Sequence, residues 1–230
     1  MNVLVYYIYP NPNWSAKAED FYESYAQHRP GFDHKLLIIK KEDFEDNIFD
    51  NHERIVHDNY GYDMGTLQKI APELLEYDIA VQMGAHCRIL ADDWLRKIIS
   101  AFGDTNVAMV GTSASKENRP HIRTSNFAYR PQLMNLVSFP ESLETKESQY
   151  EVEYGENSLY NQFTSMGYAC GIVDKDGSFF KDNWENTATF RAGEQENLLI
   201  ADRHSDAYQY GVIGQRVFLE NLAWGGTQNQ

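Results

Sequence analysis

Asn2 to Tyr9 is a nearly unbroken run of apolar, β-branched and aromatic residues that stops at Pro10-Asn11-Pro12-Asn13. A run of that kind closed by turn residues predicts a buried strand followed by a loop. Ala16 to Gln27 is amphipathic, and Ser15 is placed to cap it, which predicts a helix. His34 to Lys40 repeats the buried-strand pattern through Leu36-Leu37-Ile38-Ile39. A charged segment, Lys41 to Asn51, separates it from a short third strand, Glu53 to His57. Asp63 to Leu75 then predicts a helix, and Tyr77 to Met83 a strand centred on Ile79-Ala80-Val81. Ala91 to Phe102 places Leu95, Ile98, Ile99 and Phe102 three or four residues apart, with Asp92 or Asp93 in the first turn of a helix. Asn106 to Gly111 is another strand. Strands alternating with helices at this spacing predict an α/β domain around a largely parallel sheet.

Beyond Gly111 the pattern loosens. Asn126 to Arg130 reads as a strand, and Pro131 opens a short helix. Glu141 to Glu156 is acidic and reads as a loop. Asn157 to Met166 predicts a helix closed by Gly167, Tyr168 to Val173 a strand, and Asp174 to Gly177 a turn. Ala192 to Ala201 predicts a helix burying Leu198-Leu199-Ile200, and the tail from Trp224 to Gln230 reads as frayed. No repeat, low-complexity tract or linker divides the chain, so one domain over 1–230 is expected.

Composition narrows the function. The chain has 230 residues, 42% of them hydrophobic, enough to build a sizeable core. Acidic residues number 34 against 20 basic ones, for a formal net charge of −14. That balance excludes a nucleic-acid binder working through a basic face, and it opposes electrostatic attachment to anionic lipid. A small anion held in a local pocket remains compatible with it. No stretch approaches the ~20 apolar residues of a membrane span. The N-terminus lacks the basic and small-residue features of a signal peptide. Cys87 and Cys170 are too few for a disulfide framework and suit free thiols in a reducing, cytoplasmic setting.

Among the stretches that carry chemistry, Asp58-Asn59-Tyr60-Gly61-Tyr62-Asp63-Met64-Gly65 stands between a strand and a helix, where ligand loops of α/β domains belong. Gly61 and Gly65 permit close backbone approach, Asn59 and Asp63 supply polar groups, and the following helix N-terminus favours an anion. Asp63 is equally suited to be an N-cap. This Asn-x-Gly-Tyr-Asp-x-Gly pattern is followed by a helix, a Tyr-Asp before an apolar strand, and an Asp-Trp-Leu helix. The whole resembles glycosyltransferases of the GT-A fold, with greatest similarity to family-2-type and rhamnan-synthesis enzymes. The resemblance runs from Met1 to about Gly111 and weakens through Tyr168.

The resemblance implies a GT-A-like nucleotide-diphospho-sugar transferase fold, with a mostly parallel central sheet flanked by helices. It further implies a nucleotide-binding half over 1–111 and an acceptor-side half over 112–230. Tyr7 and Tyr9, on the first strand, would contact the nucleotide base, with Asn59, Gly61, Asp63 and Gly65 beside the sugar-nucleotide. The family's Asp-x-Asp, which holds Mn²⁺ or Mg²⁺ on the diphosphate, is replaced by Gly84-Ala85-His86-Cys87-Arg88. His86 falls at the second Asp and is a candidate metal ligand; Arg88 is an alternative source of positive charge without metal. His204 lies where some members bring a C-terminal metal ligand. The family's Glu-Asp at a helix start, the Asp acting as catalytic base in inverting members, corresponds to Gly155-Glu156. Glu156 is therefore the candidate base, with Glu151 and Glu153 close alternatives. Trp184 is suited to stack on a sugar, and Arg191 to pair with a phosphate.

The expected activity is transfer of a sugar from a nucleotide-sugar donor to a glycan or other hydroxyl acceptor. The competing reading is a non-catalytic relative that binds nucleotide-sugar or carbohydrate, motivated by the missing aspartates. A sugar-phosphate nucleotidyltransferase ranks lower, because no Gly-rich basic signature follows the first strand. Neither a P-loop nor a Gly-x-Ser-x-Gly elbow occurs.

Overall fold

The structure, a computed structural model, describes residues 1–225. Strands in chain order are β1 (Val3–Tyr9), β2 (Lys35–Lys40), β3 (Glu53–Val56), β4 (Ile79–Met83), β5 (Arg88–Ile89), β6 (Val107–Gly111), β7 (Ala114–Ser115), β8 (His121–Ile122), β9 (Asn126–Tyr129), β10 (Ala169–Val173), β11 (Phe179–Phe180) and β12 (Ile200–Ala201). Helices are α1 (Ser15–Gln27), α2 (Tyr62–Ile70), α3 (Trp94–Ser100), α4 (Pro131–Met134), α5 (Lys146–Tyr154), α6 (Leu159–Ser165), α7 (Arg203–Gln209) and α8 (Ile213–Trp224).

An eight-stranded sheet in the order β11-β10-β6-β9-β4-β1-β2-β3 runs through the molecule. The pairs β1–β2, β1–β4, β2–β3 and β6–β10 are parallel, while β9 runs antiparallel to both β4 and β6. The sheet is therefore mostly parallel and flanked by helices, as the patterning predicts. All seven residues of β1 are buried, because this strand has neighbours on both edges and helices on both faces. Successive side chains point to opposite faces. Leu4, Tyr6 and Ile8 join one core with residues of α2, α5 and α6. Val3, Val5, Tyr7 and Tyr9 join the other with Phe21 of α1 and Trp94, Leu95 and Ile98 of α3.

After β1 the chain pairs β2 and then β3 on one side, and returns to place β4 on the other. The order reverses between β1 and β4, which opens a crevice beyond their C-terminal ends, the usual ligand position in such sheets.

Three local expectations are corrected. Ser15 is not a cap: Trp14 holds that position without a side-chain bond, and Asn11 instead caps the 3₁₀ turn Pro12–Trp14. The acidic stretch from Glu141 is not all loop. It contains α5, whose N-cap Thr145 accepts from Ser148 N, and whose buried face is only Gln149 and Val152. So thin a stripe among carboxylates conceals the helical period. Ala192 to Ala201 is not helical, because Arg191, Gly193 and Gln195 have φ of 44°, 56° and 51°. Leu198, Leu199 and Ile200 are nonetheless buried as expected. Trp224 is the last residue of α8 and donates to Phe190 O at 2.9 Å. The rest of the tail read as frayed, 226–230, lies outside the described residues. Among the described residues no helix is long and apolar enough to cross a membrane.

Candidate functional site

A cavity of about 670 Å³ opens at the crevice between β1 and β4, within the size range of small-ligand sites. Pro10, Asn11 and Trp14 reach it from the end of β1, Lys41 from the end of β2, and Asn59, Tyr62 and Asp63 from the start of α2. Gly84 to Cys87 arrive from the end of β4. Because β9 is antiparallel, the residues that precede it, His121 to Ser125, come to the same rim. Lys146, Gln149, Tyr150, Glu153 and Tyr154 of α5 face the opening, and Phe190, Arg191 and Asp202 to His204 close the far wall.

The expected residues divide between this cavity and the rest of the molecule. Asn59, Asp63, His86, Glu153, Arg191 and His204 line it. Tyr7 and Tyr9 do not. Tyr7 stacks on Phe21 with ring centroids 4.1 Å apart, and its hydroxyl donates to Ala85 O at 3.0 Å, so it positions the loop after β4 from beneath. Tyr9 packs edge-on against Phe44 and Phe49. Gly61 and Gly65 are not among the lining residues and approach each other: a Cβ on Gly61 would stand 2.7 Å from Gly65 Cα, and Gly61 has φ of 62°. Their absence of side chains tightens the entry to α2. Arg88 is engaged away from the cavity by Asp206, at 2.8 Å. Glu156 lies exposed in the turn before α6, paired with Arg119 at 3.2 Å over a separate shallow depression. Trp184 is buried, its indole N–H donating to Phe180 O.

The cavity's two walls differ. On one, the His86 ring meets Trp14 edge-on with centroids 4.6 Å apart. Burial, with the cations Arg203 and Lys17, lowers the His86 pKa and keeps the imidazole neutral. The other wall is ionic. Arg123 is buried and bonds Asp202 Oδ2 through Nη1 at 2.7 Å. Asp202 Oδ1 accepts from His204 N and Ser205 N, so the same carboxylate caps α7. Burial opposes its ionisation, yet Arg123, His204 and these donors hold it well below the usual carboxylate range. His204, half-buried beside three arginines, is pushed down to about 4 and is neutral at pH 7. Arg191, also buried, reaches Glu117 at 3.3 Å through Nη1, and its Nε has no partner.

At the floor, burial raises the Asp63 carboxyl despite Lys41 and Lys146 nearby. Lys41 donates to Tyr60 O at 3.2 Å and to Tyr62 O, and burial brings its ammonium down to about 8. Glu153 accepts from Thr124 N at 3.1 Å. His121 beside it donates from Nδ1 to Arg119 O at 2.7 Å, and burial lowers its pKa. Five cationic side chains (Lys41, Arg123, Lys146, Arg191, Arg203) therefore line the cavity against four carboxylates (Asp63, Glu117, Glu153, Asp202). The local balance is positive in a chain whose total is −14.

Among the described residues the cavity holds no metal cage made by the protein alone. Mg²⁺ and Mn²⁺ take hard oxygen ligands, and one or two carboxylates suffice where a ligand's phosphates supply the rest. Among the described residues no three His, Cys, Asp or Glu side chains are placed to hold one. The His86 Nε2 is buried without a partner, but its ring abuts the Trp14 indole. His86 and His204 share the cavity without a third ligand.

Sequence reasoning did not single out Lys41, Arg123, Lys146, His121 or Asp202. Asp202 is of a residue type that caps helices, the one sequence signal for it, and the structure shows its reciprocal bonds with Ser205. Nothing in the spacing marks Arg123 as buried.

No family model matches the sequence, and no curated protein matches it. Solved structures do. A mannosyltransferase, PcManGT from Pyrobaculum calidifontis in complex with GDP-Man and Mn²⁺, aligns with TM-score 0.58 and 13% identity over 82% of this chain and 60% of that one. CMP:2-keto-3-deoxy-manno-octonic acid synthetase complexed with CTP aligns with TM-score 0.51 and 10% identity over 75% and 89%. S. aureus TarS aligns with TM-score 0.50 and 12% identity over 75% of this chain and 35% of that one. The chain thus spans less than two thirds of the length of the mannosyltransferase. At these identities the likeness is one of architecture: the chain has the GT-A-like, nucleotide-diphospho-sugar transferase fold.

Proposed function

We propose that this protein transfers a sugar from a nucleotide-sugar donor to a hydroxyl acceptor. One observation carries the reading: a cavity with a cationic surplus stands at the switch point of an otherwise strongly acidic chain. In the proposed arrangement Trp14, Asn11 and His86 flank the base, and Asn59 and Asp63 face the ribose or sugar. The departing nucleoside diphosphate meets the arginine wall, where preorganised positive charge stabilises the transition state. Glu153 takes the acceptor's proton. It faces the cavity, and the Thr124 amide fixes its carboxylate. Glu156, on the surface, is not given that role.

The test is a thermal-shift panel of GDP-, UDP-, CMP- and dTDP-sugars, with and without Mn²⁺, followed by assays of donor hydrolysis and transfer. GDP-mannose is tried first, since a structural relative holds it. Glu153→Gln is expected to lower turnover by about 10²–10⁴-fold, the range for a lost general base, with donor affinity retained. No stabilisation by any nucleotide sinks the proposal. The absence of the Asp-x-Asp favours one second reading, a non-catalytic binding relative. Binding without any turnover selects it.

A further inference from the structure

Arg123 and Arg191 form an arrangement that the internal contacts of the protein leave incomplete. The Arg123 Cζ stands 4.1 Å from the centroid of Phe190 and the Arg191 Cζ 4.9 Å from the same ring. Two buried guanidinium groups thus share one phenyl ring, and each raises the electrostatic cost of the other. A buried cation without full compensation is expensive, and such expense concentrates at functional sites. Asp202 answers Arg123 and Glu117 answers Arg191. Arg203 at the mouth adds a third cation, which leaves the wall one positive charge in surplus.

The donor inventory points the same way. A guanidinium carries five N–H donors. Among the described residues, Arg123 bonds within the chain only through Nη1, and the buried Nε of Arg191 bonds to nothing. Arg191 is moreover held at φ of 44°, between Ala188 at 52° and Gln195 at 51°. Left-handed backbone at non-glycine residues costs about 1–2 kcal/mol each, and it persists where the surroundings enforce it, commonly at ligand clamps.

We infer that Arg123 and Arg191, with Arg203 at the mouth, bind the diphosphate of the ligand directly and without a divalent cation. Planar guanidinium forks match phosphate oxygens bidentately and supply fixed charge. They supply positive charge where the Asp-x-Asp of the family that the sequence resembles is replaced by Gly84-Ala85-His86-Cys87-Arg88. The inference rests on the proposed function only for the diphosphate's attachment to a nucleoside. The site itself is a pyrophosphate site.

Titration calorimetry with inorganic pyrophosphate in EDTA tests it on the wild-type protein. Binding in EDTA is expected, and replacing EDTA with Mn²⁺ is not expected to tighten it, since Mn²⁺ also competes for the phosphate oxygens in solution. Arg191→Gln is expected to weaken pyrophosphate at least tenfold, and Arg191→Lys, which keeps the charge, less. Melting curves confirm that each variant folds, and the wild-type arm stands without them. Pyrophosphate and nucleoside diphosphates that bind only with Mn²⁺ overturn the inference and leave the transferase reading intact. Pyrophosphate binding in EDTA without binding of any nucleotide sugar supports the inference and overturns the transferase reading. Binding of neither overturns both.

Discussion

Arg123 ties three parts of the site together: the segment before β9 that carries it, the α7 cap through Asp202, and the Phe190 ring. Truncating it leaves Asp202 buried without a counter-ion. Arg123→Ala is therefore expected to lower stability by about 3–5 kcal/mol, read from urea unfolding. Lys41 makes a different kind of prediction. Burial brings its ammonium from the ordinary 10.5 down to about 8, with Asp63 and Asp58 opposing and Lys69 assisting. Between those values the unfolded chain binds more protons than the folded one, so stability rises with pH across that window. The charged form burdens the fold below it. Lys41→Met should flatten the slope of unfolding free energy between pH 8 and 10.5, relative to wild type. Single residues were the least legible level of the sequence. Asp63 and Arg191 stood out through chemistry beside glycine or aromatic neighbours. Burial of Arg123 and Lys41, which gives them their properties, depends on strands far away in the chain.

Elements with strong periodicity were read correctly, and those without it were not. β1, β2, β4 and β6 are apolar runs that end in turn residues, so their pattern and their place in the sheet agree. α5 escaped notice because its inner face is two residues wide, yet it delivers Lys146 and Glu153 to the cavity. With so little burial it depends on its cap. Thr145→Ala should cost about 1 kcal/mol and, by loosening Glu153, lower turnover more than donor affinity. The segment from Ala192 to Ala201 misled differently. Its composition allows a helix, but left-handed residues at 191, 193 and 195 break it. Ala188→Gly removes one steric penalty and should stabilise the protein by about 0.5 kcal/mol, seen as a higher urea midpoint.

At the scale of the whole molecule, the net charge of −14 and the cationic wall act on a ligand at different distances. The long-range field repels a dianion and is screened by salt within about 10 Å at 0.1 M, whereas the contacts inside are buried. Raising ionic strength should therefore speed association of a nucleoside diphosphate in stopped-flow mixing, opposite to the usual steering effect. The architecture was legible because alternating strands and helices with a reversal admit few topologies. The position of β9 was not, since a four-residue antiparallel strand carries no signature of where it inserts. That insertion governs how the molecule comes into being. β4 and β6 never touch; residues 126–129 lie between them. A ribosome that has released only the first 111 residues has produced a four-stranded sheet, a lone β6 strand beside it, and a cavity without the walls that His121, Arg123, α5, Arg191 and Asp202 supply. The nascent chain must wait for the β9 segment before either edge is covered, so chaperone capture of truncated chains should drop abruptly once that segment has emerged.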